Sequence, residues 1–281
     1  MAEWKEVSAN RSFKGTQYTY SFKSSELKTV TPIGVYVPDV ESGEKLPVLF
    51  WLSGLTCTEK NFVEKAGAQR LASKHRVIVV NPDTSPRGLN IEGDKDSYDF
   101  GEGAGFYLDA TEQKWAQNYR MYSYIVKELV PLISEKFPVD EKKRSIFGHS
   151  MGGHGAITIG LKNPDLFTSI SGFAPICNPT ACPWGQKAFK GYLGDDSSKY
   201  TQYDSTELAR TYNGPPKSIL IDQGTADNFY KQGQLLPENL TAVSNDKLTI
   251  DFKKREGYDH SYFYIASFIE EHFEFHKSKW N

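Results

Sequence analysis

The chain has 281 residues, a formal net charge of −2, and 38% hydrophobic, 24% charged and 14% aromatic residues, as soluble globular proteins have. The slightly acidic balance argues against nucleic acid or an anionic membrane as a partner. Three cysteines predict no disulfide framework. We expect neither a secretory signal at the start nor an apolar run long enough for a membrane span. Together these features favour a cytoplasmic protein.

The first predicted elements are strands. Residues 16–22 and 31–37 alternate in polarity and are rich in β-forming side chains, which predicts an antiparallel strand pair. Residues 47–52 and 77–80 are apolar on both faces, as buried central strands are. A loop of small residues follows the first of these two strands and leads into a helical stretch that ends near His75.

Residues 84–117 form a long segment with five glycines and little periodicity. Its aromatic side chains favour an ordered, packed segment over a disordered one. Asp94 and Asp96 have a spacing found in calcium loops, but the glycine and the distal glutamate of an EF-hand are missing. We therefore interpret the segment as a solvated acidic loop.

The second half of the chain alternates helices and strands. The predicted elements are a helix over 118–137, strands over 167–173, 218–222 and 248–252, and a helix over 262–276. Such alternation predicts a doubly wound, mostly parallel α/β sheet. We expect residues 1–281 to form a single domain, in which the chain between Pro175 and Pro216 passes over the top of the sheet.

Residues 144–156 combine a short apolar strand, a G-x-S-x-G turn and a helix that begins with small residues. In a nucleophile elbow of this kind the serine takes a strained conformation that lifts its hydroxyl above the sheet. Gly148 and Gly152 suit the turn because a Cβ at either position would collide with its opposite arm. We predict that Ser150 is a catalytic nucleophile.

A serine nucleophile needs a histidine base and a carboxylate that fixes the tautomer of that base. The chain order Ser, acid, His of hydrolase folds selects His260, which lies between the last strand and the last helix; a plain surface histidine is the alternative. We predict Asp227 as the acid because it follows the carboxyl end of a strand, and Asp222 and Asp259 remain alternatives. His149 is expected to point away from the serine.

The oxyanion of the reaction needs two backbone donors. We predict the N–H of Met151, directly after the nucleophile, and the N–H of Leu55 in the loop after the first central strand, with Gly54 as the next candidate. Cys57 either reaches the pocket edge or is buried as a small hydrophobe. The other two cysteines lack the spacing and the histidine partners of a zinc site, so no metal site is predicted.

Several stretches together resemble the S-formylglutathione hydrolase family, also called esterase D. They are residues 51–58, 105–107, 148–156, 222–227 and 257–262. The resemblance implies an α/β-hydrolase fold without a separate lid domain, a cytoplasmic homodimer and no cofactor. It also implies a serine thioesterase and carboxylesterase that releases formate and glutathione from S-formylglutathione, in the removal of formaldehyde.

By this resemblance, Ser150 is the nucleophile, His260 the base and acid, and Asp227 the residue that orients the histidine. The resemblance further implies a tightly walled acyl pocket next to the serine. The expected substrate-binding and wall residues are Gly54, Leu55, Cys57, Trp184 and Phe229. Two alternatives stay open: a carboxylesterase or sugar-ester deacetylase with another acyl substrate, and a hydrolase-fold protein that binds without catalysis.

Overall fold

The computed structural model describes residues 4–280; residues 1–3 and 281, the ends of the predicted domain, lie outside this part. Its strands are β1 Lys5–Arg11, β2 Gly15–Lys23, β3 Val30–Pro38, β4 Leu46–Leu52, β5 Ile78–Pro82, β6 Val139–His149, β7 Ser169–Phe173, β8 Lys217–Gly224 and β9 Leu248–Arg255. They form one sheet in the order β1-β2-β3-β5-β4-β6-β7-β8-β9. Pairing is antiparallel from β1 to β5 and parallel from β5 to β9.

The predicted antiparallel pair is confirmed as β2 and β3, which pair along their whole length. The sequence did not predict β1, the outermost strand. Six of its seven residues are exposed, so no alternation of apolar and polar side chains marks it.

The described helices are α1 Glu59–Lys65, α2 Ala68–His75, α3 Met121–Ser123, α4 Val130–Lys136, α5 Met151–Lys162, α6 Pro183–Leu193, α7 Ser205–Arg210, α8 Asn228–Lys231, α9 Pro237–Thr241 and α10 Tyr262–Lys277. The helix predicted over 118–137 begins only at Met121, and a π-helical stretch, Tyr124–Leu129, joins α3 to α4. The stretch before His75 is two helices, because Gly67 takes a left-handed φ of 67° between them. Within residues 4–280 no helix has the length and apolarity that crossing a bilayer requires.

Helices cover both faces of the sheet, as β7 shows. Ser171 Oγ is hydrogen-bonded to Nδ1 of His272 in α10 at 2.8 Å. Ile170, the residue before it, faces α5, where a Cβ built on Gly160 would approach the Ile170 side chain at 2.5 Å. Because successive strand residues point to opposite faces, α10 and α5 lie on opposite sides of the sheet. The prediction of a doubly wound, mostly parallel sheet is therefore confirmed.

The segment 84–117 contains no helix and no strand of the sheet, yet it is packed. Phe106 and Tyr107 are fully buried, and the Tyr107 hydroxyl donates to Ser53 O at 2.9 Å. The prediction of an ordered segment is thus confirmed. The description as a solvated acidic loop is wrong in part. Asp94 is buried and accepts from the Ile91 N–H at 3.2 Å within the segment, and Asp99 pairs with Lys187 of α6, so these two carboxylates have protein partners in place of water.

The carboxyl ends of the parallel strands place the catalytic residues of the sequence prediction at one edge of the sheet. Gly54 follows β4, Ser150 follows β6, and Asp227 follows β8. In open α/β sheets this edge is where ligands bind. The chain from Pro175 to Pro216 contributes α6, α7 and short 3₁₀ turns above it.

Candidate active site

Ser150 connects β6 directly to α5, with φ of 57° and ψ of −120°. A positive φ is rare for a residue with a side chain, so the turn holds the serine in a strained conformation. A Cβ on Gly148 would collide with Gly152 O, and one on Gly152 would collide with Leu52 O. The two glycines are therefore required by the tightness of this turn. The Ser150 N–H donates to Phe173 O at 2.9 Å, which ties the turn to β7.

The structure brings His260 and Asp227 together. Nδ1 of His260 lies 2.5 Å from Oδ2 of Asp227, and Gln223 Nε2 donates to the same oxygen at 3.1 Å. The other oxygen, Oδ1, caps α8 and accepts from the Phe229 N–H at 2.8 Å. Burial alone would raise the pKa of Asp227, but the hydrogen bonds from His260 and Gln223 outweigh it and hold the pKa below its ordinary value. The carboxylate is therefore ionised and fixes the histidine through its Nδ1–H.

The two alternative acids lie elsewhere. Asp222 accepts from Arg255 Nε at 2.8 Å and from the Tyr264 hydroxyl at 2.8 Å, in a buried network between β8, β9 and α10. Asp259 is exposed and accepts from the Ser261 N–H at 3.0 Å. Neither carboxylate is hydrogen-bonded to the His260 ring within residues 4–280.

The loop after β4 lies against the nucleophile. A Cβ built on Gly54 would stand 3.1 Å from the Cβ of Ser150 and 3.2 Å from His149 O, closer than most real contacts of a Cβ. A glycine at this position thus lets the loop backbone approach the elbow. This close approach is what an oxyanion-binding loop needs, because its N–H groups must reach the reacting carbonyl.

Leu55 and Met151 directly follow the two residues of this contact, Gly54 and Ser150. Within residues 4–280, neither amide donates to a carbonyl of a turn or loop. The next amide along, that of Thr56, donates to Gly103 O at 2.9 Å and anchors the loop to the 84–117 segment. Thr56 takes a positive φ of 69°, which turns the loop at this point. The Leu55 and Met151 amides therefore remain as the candidate donors to an oxyanion.

A cavity of about 290 Å³ opens at the serine. The sequence-predicted residues that line it are Gly54, Leu55, Cys57, Ser150, Trp184, Phe229 and His260. Met151 is fully buried and is relevant through its backbone alone. The Trp184 and Phe229 rings pack at 4.6 Å, and Phe229 meets the His260 ring edge-on at 4.9 Å. The structure therefore brings seven of the predicted residues to one cavity, with Asp227 buried behind His260.

A family model described as putative esterase matches residues 24–275. An S-formylglutathione hydrolase of Rattus norvegicus is 54% identical over 98% of this chain and 98% of its own length. One of Arabidopsis thaliana is 52% identical over 96% of each chain. The solved S-formylglutathione hydrolase of Agrobacterium tumefaciens superposes with a TM-score of 0.94 at 42% identity, covering 99% of this chain and 100% of that one.

The chain belongs to the S-formylglutathione hydrolase family of esterases. The resemblance stated from the sequence motifs is thereby confirmed, and so is the α/β-hydrolase fold. As a member of this family the chain is an enzyme, a serine hydrolase of the esterase type.

His149 departs from the sequence prediction. Its ring lies 4.3 Å from the His260 ring and lines the cavity of this esterase, rather than pointing away from the serine. The prediction was wrong because the loop that carries His260 packs against the His149 ring, which places that ring at the cavity wall. Burial lowers the pKa of His149 far below its ordinary value, and the neighbouring His260 acts in the same direction. His149 is therefore neutral.

Five more residues line the cavity that the sequence did not assign. They are Thr56, Asn61, Tyr98, Ser261 and Tyr262. Tyr98 belongs to the irregular 84–117 segment, and its hydroxyl accepts from Trp184 Nε1 at 3.1 Å, a contact that no local pattern indicates. Tyr262 is different, because it is the last residue of the 257–262 stretch that contains His260, and position alone could have marked it.

Cys57 was expected either to reach the pocket edge or to be buried as a small hydrophobe. The structure supports the pocket edge, since the residue lines the cavity and is half-buried. Burial raises the pKa of its thiol, so the group is protonated at neutral pH. Cys177 and Cys182 are buried and unpaired, as packing residues are.

Proposed function

We propose that this enzyme is a serine thioesterase that hydrolyses S-formylglutathione to formate and glutathione, and that it also cleaves small acyl esters. The observation that carries the proposal is the strained Ser150 turn opening into the same cavity as the hydrogen-bonded pair of His260 and Asp227. The near full-length identity to proteins named S-formylglutathione hydrolase supports the choice of substrate.

In the first half of the reaction, Ser150 Oγ attacks the formyl carbon while Nε2 of His260 takes its proton. Asp227 accepts the Nδ1–H of His260, leaves the Nε2 lone pair available and stabilises the imidazolium. The amides of Met151 and Leu55 donate to the oxygen of the tetrahedral intermediate. The carbon–sulfur bond then breaks, and His260 returns the proton to the glutathione sulfur.

In the second half, water attacks the formyl ester on Ser150. His260 takes a proton from the water, and collapse of the second tetrahedral intermediate releases formate and returns the proton to Ser150 Oγ. Both halves use the same oxyanion donors and the same base, so the second half needs only a water molecule in addition.

The cavity walls favour a small acyl group. Leu55, Trp184 and Phe229 all line the cavity, and the rings of Trp184 and Phe229 pack against each other. Phe229 also contacts the His260 ring, so an acyl chain that moved this wall would disturb the base. Formyl and acetyl groups fit such a pocket better than longer chains.

Three wider properties belong to the same proposal. One sheet spans Lys5–Arg255 and one hydrophobic core packs on it, which supports a single domain over residues 1–281. The free cysteines support a cytoplasmic setting. The family resemblance supports a homodimer, whose mass light scattering would measure.

The test is turnover of S-formylglutathione by the wild type and by Ser150→Ala. We expect the variant to lose at least about a thousand-fold in kcat, because removal of a triad serine leaves only binding and oxyanion stabilisation. The exposed Ser278, whose hydroxyl bonds only within its own helix end, provides a matched Ser278→Ala control. Thermal unfolding checks that both variants fold.

The substrate is tested separately by comparing formyl, acetyl and butyryl thioesters of glutathione on the wild type. Preference for formyl supports the proposal, and preference for butyryl or for sugar acetates makes the chain an esterase of other specificity. A folded Ser150→Ala variant that keeps its activity contradicts the mechanism itself.

A further inference from the structure

A second cavity adjoins the catalytic one. It has a volume of about 480 Å³ and is lined by Lys65, Ser261, Tyr262, Phe263 and Ala266. Ser261 and Tyr262 line both cavities, so the two cavities lie side by side at the start of α10. We call these five residues the α10 groove. No step of the mechanism above uses Lys65 or Phe263.

Lys65 supplies this groove with an uncompensated positive charge. It is the exposed last residue of α1, and its Nζ lies 6.0 Å from the centre of the Tyr262 ring. Lys65 takes part in none of the ion pairs within residues 4–280, whereas Lys74 of α2 is paired with Glu270. The charge also reaches the catalytic cavity: burial raises the pKa of the Cys57 thiol, and Lys65 acts against that rise.

Phe263 gives the groove an exposed apolar side. It is 86% exposed, more than any other large hydrophobic side chain of the described residues. A side chain of this kind in the first turn of α10, next to a cavity, offers contact area to a ligand with apolar segments. The groove therefore combines one cation with one aromatic surface.

The substrate is too large for the catalytic cavity alone. The catalytic cavity of about 290 Å³ is at the small end of the range for ligand sites, roughly 300–1,000 Å³. The peptide attached to the sulfur reaches on the order of 10 Å when extended. A formyl thioester whose carbonyl is at Ser150 must therefore place part of its glutathionyl group outside that cavity.

We propose that the α10 groove binds the glutathionyl part of the substrate, with Lys65 pairing one of its carboxylates and Phe263 packing on its methylene groups. The inference rests on the proposed function and adds to it the residues that recognise the leaving group. Glutathione carries two carboxylates and one ammonium at neutral pH, so one cation beside the path of the peptide complements its net charge. The acidic net charge of the whole chain makes such a local cation more important.

The test compares Lys65→Met with Lys60→Met, a matched change of another exposed lysine of α1 that lies outside the groove. The substrates are S-formylglutathione and a neutral formyl thioester, S-formyl-N-acetylcysteamine. We expect Lys65→Met to lower the preference for the glutathione thioester by about two- to five-fold through KM, as an exposed ion pair allows, and to weaken its salt dependence. Lys60→Met keeps the wild-type preference.

A second measurement is independent of formyl turnover. S-methylglutathione is used as a competitive inhibitor of the hydrolysis of the neutral thioester, and its inhibition constant should rise in Lys65→Met alone. S-methylglutathione esterified with ethanol at its glycine carboxylate identifies the paired group. If that carboxylate is the partner of Lys65, esterification and Lys65→Met raise the inhibition constant no further together than either does alone.

The outcomes separate the two proposals. If the wild type does not hydrolyse S-formylglutathione, the proposed substrate is contradicted. If S-methylglutathione still inhibits it in a way that depends on Lys65, the proposal that the α10 groove binds a glutathionyl group is supported. Unchanged preference and unchanged inhibition in a folded Lys65→Met protein overturn the groove. A change of molecular mass in Lys65→Met by light scattering assigns the groove to contact between two copies, and this also overturns the inference.

Discussion

At the scale of single residues, the Asp227 carboxylate is held by four donors. They are His260 Nδ1, Gln223 Nε2 and the amides of Phe229 and Tyr230. Both oxygens are therefore oriented before any substrate binds. Such support is what lets a carboxylate fix the tautomer of a histidine rather than simply lie near it.

Asparagine substitution at the three candidate acids should separate their roles. Asp227→Asn turns an acceptor into a group that can also donate, which favours the wrong tautomer of His260 and should lower kcat about 10⁴-fold. Asp222→Asn removes the buried carboxylate that pairs with Arg255. It should lower the free energy of unfolding by about 3 kcal/mol and change kcat little. Asp259→Asn, at the surface, should change neither. The measurements are kcat and urea unfolding of each variant, and equal losses of kcat at 227 and 259 would overturn the assignment.

The sequence was informative about these residues to different degrees. Asp227 was predictable, because a polar residue just past the carboxyl end of a buried strand must lie at the edge where ligands bind. His149 was not, because its environment depends on how a loop more than a hundred residues later folds over it. Likewise, Tyr98 reaches the cavity only through the tertiary path of an irregular segment.

At the scale of elements, the loop after β4 and the turn after β6 work as a pair. The close approach at Gly54 sets the distance between them, and the hydrogen bond from Thr56 to Gly103 holds the loop from behind. Since an oxyanion donor acts through the backbone, its contribution is tested by removing an N–H rather than a side chain.

Leu55→Pro and Leu55→Ala form the appropriate pair of variants. Leu55→Ala keeps the amide and widens the acyl pocket, so it should favour acetyl and longer acyl groups at a modest cost to formyl turnover. Leu55→Pro removes the N–H and should lower kcat by about 100- to 1,000-fold. A fluorophosphonate probe of Ser150 and thermal unfolding show whether the loop has kept its shape. If the folded proline variant turns over like the alanine variant, the second donor is another amide, with Gly54 next in order.

Elements whose side chains form a regular pattern were predictable, and the others were not. The central strands β4 and β5 were marked by continuous apolar runs. β1 carries no such pattern because it lies at the edge with exposed residues on both sides. The π-helical stretch Tyr124–Leu129 has the same side-chain periodicity as an α-helix over so short a length, so only backbone coordinates reveal it.

At the scale of the whole molecule, four histidines are buried and neutral. They are His149, His154, His272 and His276. Burial is the first cause that lowers the pKa of each. His272 and His276 lie deep in α10, where serines of β7 hold them as neutral hydrogen-bonding groups, and the sequence alone does not show these partners.

These histidines should make stability depend on pH in mildly acidic solution. In the unfolded chain they take up protons below about pH 6.5, whereas the folded chain keeps them neutral, so folding stability is complete above that pH and falls as the pH drops. Burial lowers the pKa of His154 to about 4, so this residue alone contributes on the order of 3 kcal/mol that is lost between pH 6.5 and 4. Urea unfolding across that range measures the loss. His154→Gln can keep a donor to Phe106 O without titrating. The free energy of unfolding of this variant should fall less steeply with decreasing pH than that of the wild type, by a slope that corresponds to about one proton fewer taken up on unfolding. Equal slopes for the two proteins would contradict a neutral, buried His154.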